Sequence, residues 1–227
     1  MDNTDQTFSD RLEQVEQRIA EACAKAERAR DSVRLLAVSK TKPPEAIREA
    51  ADYGLRLFGE NRVQEAQAKI PLCPDGLEWH LIGHLQTNKA KLAARLFQMV
   101  HSVDSMKLLQ ALDAHADVTL PVLLQVNVSG EAAKFGMTPD EVAGVIEAAN
   151  RMQKVEVHGL MTIPPFSPDP EKTRVHFAAL RDLRDRLQDE TGTPLPELSM
   201  GMSHDLEVAI EEGSTWVRIG TDLFGKR

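Results

Sequence analysis

Cysteine is scarce in this chain of 227 residues. Only Cys23 and Cys73 occur, with no CxxC spacing and no histidine at metal-ligand spacing beside them. A disulfide scaffold and a zinc-ribbon type of site are thereby excluded, and the two thiols read as reduced and cytoplasmic. Long apolar runs are missing as well. Nothing approaches the roughly 20 residues that span a bilayer, and the stretch from Val118 to Val128 is interrupted by Pro121, Gln125 and Asn127. The opening Met1-Asp2-Asn3-Thr4-Asp5 is acidic and polar, without the charged-then-apolar order of a secretory signal. Nor is there an excess of positive charge. With 27 Lys and Arg against 35 Asp and Glu the net charge is −8, which argues against a nucleic-acid partner and means that local groups must catch any anionic ligand. No internal repeat, low-complexity stretch or Pro/Gly linker divides the chain, and Pro164 to Pro170 reads as a loop. Residues 1–227 are therefore expected to form one domain, since 42% hydrophobic content at this length can bury a full core.

What is present is an alternation of short apolar runs with longer segments of helical period. Ser9 to Arg28 opens as an amphipathic helix, with Leu12, Val15, Ile19 and Cys23 on one face. Strands are expected at Arg34 to Val38, Leu55 to Phe58, Trp79 to Ile82, Met99 to Val103, Val122 to Val128, Val155 to Met161, Glu197 to Ser199 and Trp216 to Ile219. Pro43-Pro44-Glu45, Thr138-Pro139-Asp140-Glu141 and Asp169-Pro170 mark helix starts between them, combining caps with proline in the first turn. Eight such units predict a single α/β barrel, the (β/α)8 TIM barrel, with an extra N-terminal helix filling the outer ring after the last strand. An open doubly wound sheet ranks second.

In such a barrel, ligands bind where the strands end, at the C-terminal mouth. Lys40 directly follows the first strand, in a position that partly dehydrates its amine and favours the neutral, nucleophilic form. A lone lysine of this kind ordinarily snorkels to solvent. Ser199 to Ser203 and Gly220-Thr221, after the seventh and eighth strands, stand where barrels cradle phosphate, with Ser203 as the expected cap of the helix running to Glu212. Glycines 201 and 220 would let backbone approach an anion, or simply serve turns. An amine facing a phosphate cradle suits a phosphorylated aldehyde, and pyridoxal 5′-phosphate is the obvious one.

The segments Leu36 to Pro43 (LAVSKTKP), Phe58 to Glu65 (FGENRVQE), Trp79 to Lys89 (WHLIGHLQTNK), Ser199 to Asp205 (SMGMSHD) and Gly213 to Thr221 (GSTWVRIGT) closely resemble the pyridoxal phosphate homeostasis proteins. The likeness runs in order from Leu35 to Gly225. That family resembles the barrel domain of alanine racemase standing alone. The resemblance implies an internal aldimine between pyridoxal 5′-phosphate and Lys40, with Ser203, Gly220 and Thr221 on the phosphate. It further implies Arg218 at the pyridine nitrogen, with Asn61 and Met200 lining the ring pocket. It also implies a cytoplasmic monomer that maintains and delivers the cofactor, with apo pyridoxal-phosphate enzymes as recipients. The alternative is a racemase or lyase of low activity. A guanidinium opposite the ring nitrogen leaves that nitrogen unprotonated and the ring a poor electron sink.

The remaining candidates have simpler explanations. His80 and His84 straddle a strand end, which is unsuited to metal ligation, and His80 reads as a packed or hydrogen-bonded strand residue. Asp104 and Ser102 read as part of a helix cap, Met200 and Met202 as packing, and Lys42 and Lys134 as exposed amines. The single tyrosine, Tyr53, is expected at the end of the helix after the first strand, away from the mouth. A racemase needs a base on each face of its substrate, and a phosphosugar enzyme would need none of the cofactor.

Overall fold

Each strand of this protein buries one face against helices and the other against its fellow strands, so the sheet closes rather than ending at an edge. The computed structural model describes residues 6–131 and 134–225; the acidic opening Met1 to Asp5 lies outside them. The order is α1 (Phe8–Lys25), β1 (Arg34–Val38), α2 (Pro44–Asp52), β2 (Leu57–Glu60), α3 (Val63–Lys69), β3 (Glu78–Leu81), α4 (Ala90–Leu96) and β4 (Met99–Val103). Then come α5 (Met106–His115), β5 (Leu120–Gln125), α6 (Pro139–Ala149), β6 (Val155–Met161), α7 (Arg174–Thr191), β7 (Glu197–Met202), α8 (Leu206–Glu211), β8 (Trp216–Ile219) and α9 (Thr221–Phe224). All neighbours run parallel, and β1 pairs with β8 to close an eight-stranded barrel.

Of the expected helix starts, Pro44 sits at the first turn of α2 and Thr138 with Glu141 boxes α6, while Asp169-Pro170 opens a short 3-10 turn that leads into α7. α1 begins on a further capping box, of Thr7 and Asp10. α1 buries Phe8, Val15, Ile19, Ala22 and Cys23 and packs on α8 and α9, filling the outer ring where the last unit supplies only a four-residue helix. The apolar core has two parts. Leu36, Val38, Ile82, Met99, Leu123, Met161 and Trp216 fill the lumen, while a larger cluster lies between sheet and helices.

Four strand boundaries differ from the pattern of apolar runs. β2 starts two residues late and continues through Gly59 and Glu60, because the Glu60 carboxylate is hydrogen-bonded from below by Lys69 and Ser39. β3 is displaced by one residue. β5 stops at Gln125, and Val126 and Asn127 turn away to pair with Met137. β7 runs on to Met202 through Gly201, whose φ of +91° and close packing on the Ala209 side chain leave no room for a Cβ. Gly201 therefore serves the approach of α8 to the sheet.

Candidate functional site at the barrel mouth

Strands β7, β8, β1 and β2 are consecutive around the barrel, so the segments that leave their C-terminal ends share one arc of the mouth. That arc collects Ser203, Gly220 and Thr221, Lys40, and Asn61. Gly220 lies directly against the end of β1: a Cβ there would be 3.4 Å from the Val38 carbonyl oxygen.

Lys40 is half-buried in the turn after β1. The backbone on both sides of it is clamped. The Ser39 amide donates to the Gly59 carbonyl and the Lys42 amide closes the turn onto the Ser39 carbonyl. Thr41 adopts φ +65°, a left-handed conformation costly for a β-branched residue, and its amide donates to Glu65 Oε1 at 2.5 Å. Beneath the turn, Lys69 Nζ donates to the Ser39 carbonyl at 2.8 Å, to Glu60 Oε1 at 2.7 Å and to Glu65 Oε1 at 2.8 Å. The Ser39 hydroxyl donates to the same Glu60 oxygen. Burial raises the Glu60 pKa, offset in part by the Lys69 and Ser39 hydrogen bonds. Burial works the same way on Glu65, but hydrogen bonds from Lys69 and the Thr41 amide bring its pKa below the ordinary value. Sequence reading missed this network. Its one signal is Lys69 falling at i+6 on the face of α3 that buries Val63 and Ala66.

Asn61 follows β2, and its Oδ1 is buried without a hydrogen-bond partner. Ser203 does not cap the helix expected of it. Asp205 stands at the N-cap of α8 with its carboxylate turned back to the Met202 amide at 2.8 Å, while the Ser203 hydroxyl accepts from the Asp222 amide, at 3.5 Å, in α9. Arg18 from α1 ties this corner together: its guanidinium pairs with Glu207 and Asp222, each at 2.6 Å, and donates to the Ser203 carbonyl at 2.9 Å. The Asp222 charge beside Ser203 and Thr221 is thereby paired.

Arg218 is buried in the lumen below the mouth, donating to Ser199 Oγ at 2.8 Å and to the Thr162 carbonyl at 3.0 Å. Burial brings its pKa down to about 10, with the Asp205 carboxylate working in the opposite direction, so it remains charged at neutral pH. Met200 is fully buried within the cluster between sheet and helices. Its side chain packs there, as one expectation had it.

Elsewhere the structure reassigns several candidates. Lys42 is not an open amine, since its Nζ donates to the Phe224 and Gly225 carbonyls at the end of α9. Lys134 leans on the Ile163 carbonyl at 3.5 Å and on Glu131. The cap of α5 is Ser105, leaving Ser102 to bond the Gly83 carbonyl and Asp104 to pair with His84 at 2.8 Å. His80 is a fully buried, hydrogen-bonded strand residue. No group of metal-ligating side chains occurs among the described residues. Tyr53 ends α2 and packs on the Phe8 ring.

The alanine racemase N-terminal domain model matches residues 11–227. The pyridoxal phosphate homeostasis protein of Aquifex aeolicus is 48% identical, over 96% of this chain and 97% of its own, and that of Escherichia coli K12 is 41% identical over 95% of each. The solved structure of PipY from Synechococcus elongatus with PLP bound superposes with a TM-score of 0.80 at 41% identity, covering 91% of this chain and all of that one. Alanine racemase of Clostridium difficile, 15% identical with a TM-score of 0.77, shares the fold over 96% of this chain and 57% of its own.

Proposed function

The chain belongs to the pyridoxal phosphate homeostasis proteins, and from that premise we propose that it binds pyridoxal 5′-phosphate at the barrel mouth and serves the homeostasis and delivery of that cofactor. In this reading residues 1–227 act as one cofactor-binding domain, a cytoplasmic monomer that hands its cargo to apo enzymes; the two unpaired thiols suit a reducing compartment. Lys40 is the amine that takes the aldehyde. Ser203, Gly220 and Thr221 take the phosphate, with the two hydroxyls as donors and Gly220 letting backbone come close. Arg218 faces the pyridine nitrogen from below.

The observation that carries the reading is Asn61 Oδ1. A buried amide oxygen without a donor is a cost of about 1–3 kcal/mol, and it directly follows β2, the strand beside the one that leads to Lys40. A polar ring substituent supplies the missing partner, the amide turning whichever end is needed. These residues fit the group. When bound, pyridoxal phosphate supplies an aldehyde and an electron-accepting ring. Arg218 only donates, so it leaves the facing nitrogen without a proton and withholds the pyridinium that carbanion chemistry uses. Tyr53, packed against Phe8, is not placed to act as a second base. The want of an opposed second base is what favours a carrier over an enzyme.

The test mixes loaded protein with an apo pyridoxal-phosphate enzyme. Activity of that enzyme should return, while the carrier alone shows negligible turnover of common amino acids. Lys40→Ala should lose the visible band and the borohydride-trapped adduct at that position. Sustained turnover by the wild type, lost in Lys40→Ala, would promote the racemase or lyase reading instead.

A further inference from the structure

The barrel lumen holds a chain of hydrogen bonds between two groups of opposite character. At the floor, Glu78 opens β3 with its side chain half exposed, and its carboxylate lies 2.8 Å from His80 Nε2. His80 Nδ1 is 3.0 Å from His101 Nε2, and His101 Nδ1 is 2.9 Å from Ser199 Oγ. Arg218 Nη1 meets the same hydroxyl at 2.8 Å. His80, His101 and Ser199 are fully buried. The Trp216 ring lies against both imidazoles, with centroids 5.0 and 5.5 Å away, so neither can turn without repacking the lumen.

With both rings neutral, the carboxylate end fixes the direction of every bond in the chain, since each neutral imidazole has one donor and one acceptor nitrogen. A carboxylate accepts and a guanidinium donates. His80 therefore carries its proton on Nε2 and accepts at Nδ1, His101 donates from Nε2 and accepts at Nδ1, and the single Ser199 proton goes to His101. The Ser199 lone pairs are left for Arg218. A second proton on His101 would turn Nδ1 into a donor and strand the Ser199 hydrogen in a buried site. Burial first of all, with the charges of Arg218 and Arg34 added to it, pushes the His101 pKa well below the ordinary histidine value, in keeping with a neutral ring.

We infer that Glu78, His80, His101 and Ser199 are positioning residues for Arg218, a one-way chain of donors that anchors one arm of the guanidinium and fixes which N–H groups remain for the cofactor's ring nitrogen. The inference rests on the cofactor reading above. Both anchors of Arg218, the Ser199 hydroxyl and the Thr162 carbonyl, are neutral. Its charge is thus left for the nitrogen in front of it, where a pairing carboxylate would divide it. Holding Arg218 at this angle keeps that nitrogen unprotonated.

Histidine ¹⁵N NMR of the wild-type protein without cofactor reads the tautomers directly. At neutral pH both His80 and His101 should carry the proton on Nε2; an Nδ1–H tautomer or an imidazolium at His101 overturns the chain. Holo protein carrying pyridoxal phosphate labelled with ¹⁵N in the ring then reads Arg218. The wild-type ring nitrogen should keep its unprotonated shift across roughly pH 5–8, the window in which an ordinary histidine changes charge. His101→Leu cuts the chain and should let that nitrogen titrate within the window. His101→Gln, whose Oε1 accepts from Ser199 and whose Nε2 donates to His80, should restore the flat profile. If His101→Leu fails to fold, Glu78→Leu at the exposed end should still release the His80 tautomer; unchanged tautomers in that folded variant overturn the proposal. So does a flat ring profile in His101→Leu that retains the borohydride adduct on Lys40. A wild type lacking that adduct rejects the cofactor reading itself.

Discussion

Replacing Lys69 by Met removes one ammonium from beneath Lys40 and leaves the surrounding volume almost unchanged. The Lys69 and Glu60 side chains are 7% and 0% exposed and 2.7 Å apart, so this is a buried pair, and breaking one by removing a single partner costs about 3–5 kcal/mol. For a chain of this size that is a fall in Tm of about 6–20 °C, taking 2–4 °C per kcal/mol. The pH dependence has a definite sign. Glu60 has a folded pKa raised by burial, so between its unfolded and folded values the folded state holds a proton that the unfolded state has released, and stability is lost as pH rises through that interval. Without Lys69 the folded value moves higher still. The Lys69→Met penalty should therefore be smallest in acid, where Glu60 is neutral in both states, and grow toward neutral pH. Urea unfolding at acidic and neutral pH measures it, and the double variant Glu60→Leu with Lys69→Met should be less destabilised than Lys69→Met alone. A penalty under about 1 kcal/mol, the scale of an exposed pair, or one independent of pH, would refute the reasoning.

Ser203→Ala with Thr221→Val should weaken pyridoxal 5′-phosphate but spare pyridoxal, at about 1.5–3 kcal/mol per charge-assisted hydrogen bond lost; equal weakening in titration calorimetry would take these residues off the phosphate. Gly83→Ala places a Cβ 2.3 Å from the Asn61 carbonyl oxygen and 2.8 Å from its Cα. Because both are backbone, the loop carrying Asn61 must move, and a loss of about 1–3 kcal/mol in stability should come with weaker cofactor binding; an unchanged Kd would separate that loop from the site. Thr41→Gly relieves a left-handed β-branched residue, so thermal melts should show no net loss, and destabilisation beyond about 1 kcal/mol would argue against strain at that turn.

Four strands were legible to the residue. β1, β4, β6 and β8 have the expected bounds, because apolar residues mark both of their ends, or one end and the turn before the other, even where His101, Ser102, Glu156, His158 or Arg218 interrupts the run. The readings that failed involve polar groups satisfied by distant partners. Glu60 extends β2 only because Lys69 sits beneath it, and Ser203 answers to Asp222 rather than to its own helix. The mouth residues Lys40, Asn61, Arg218 and Thr221 could be collected because each closely follows or closes a strand. Glu78, His80, His101 and Ser199 come from three strands, and only the register of the closed sheet brings them into line.

The seam between β1 and β8 also dictates when the site can exist. Lys40 follows the first strand, the residues proposed to hold the phosphate follow the last two, and Arg18 reaches Asp222 across 204 positions of sequence. During synthesis the lysine leaves the ribosome well before anything that could hold the other end of the cofactor. Contacts of such long range form late and slowly, since the whole chain must be gathered before they repay its lost freedom. Capture of the cofactor is then a report that translation and ring closure have both finished, and an incomplete chain has a lysine with nowhere to keep its cargo.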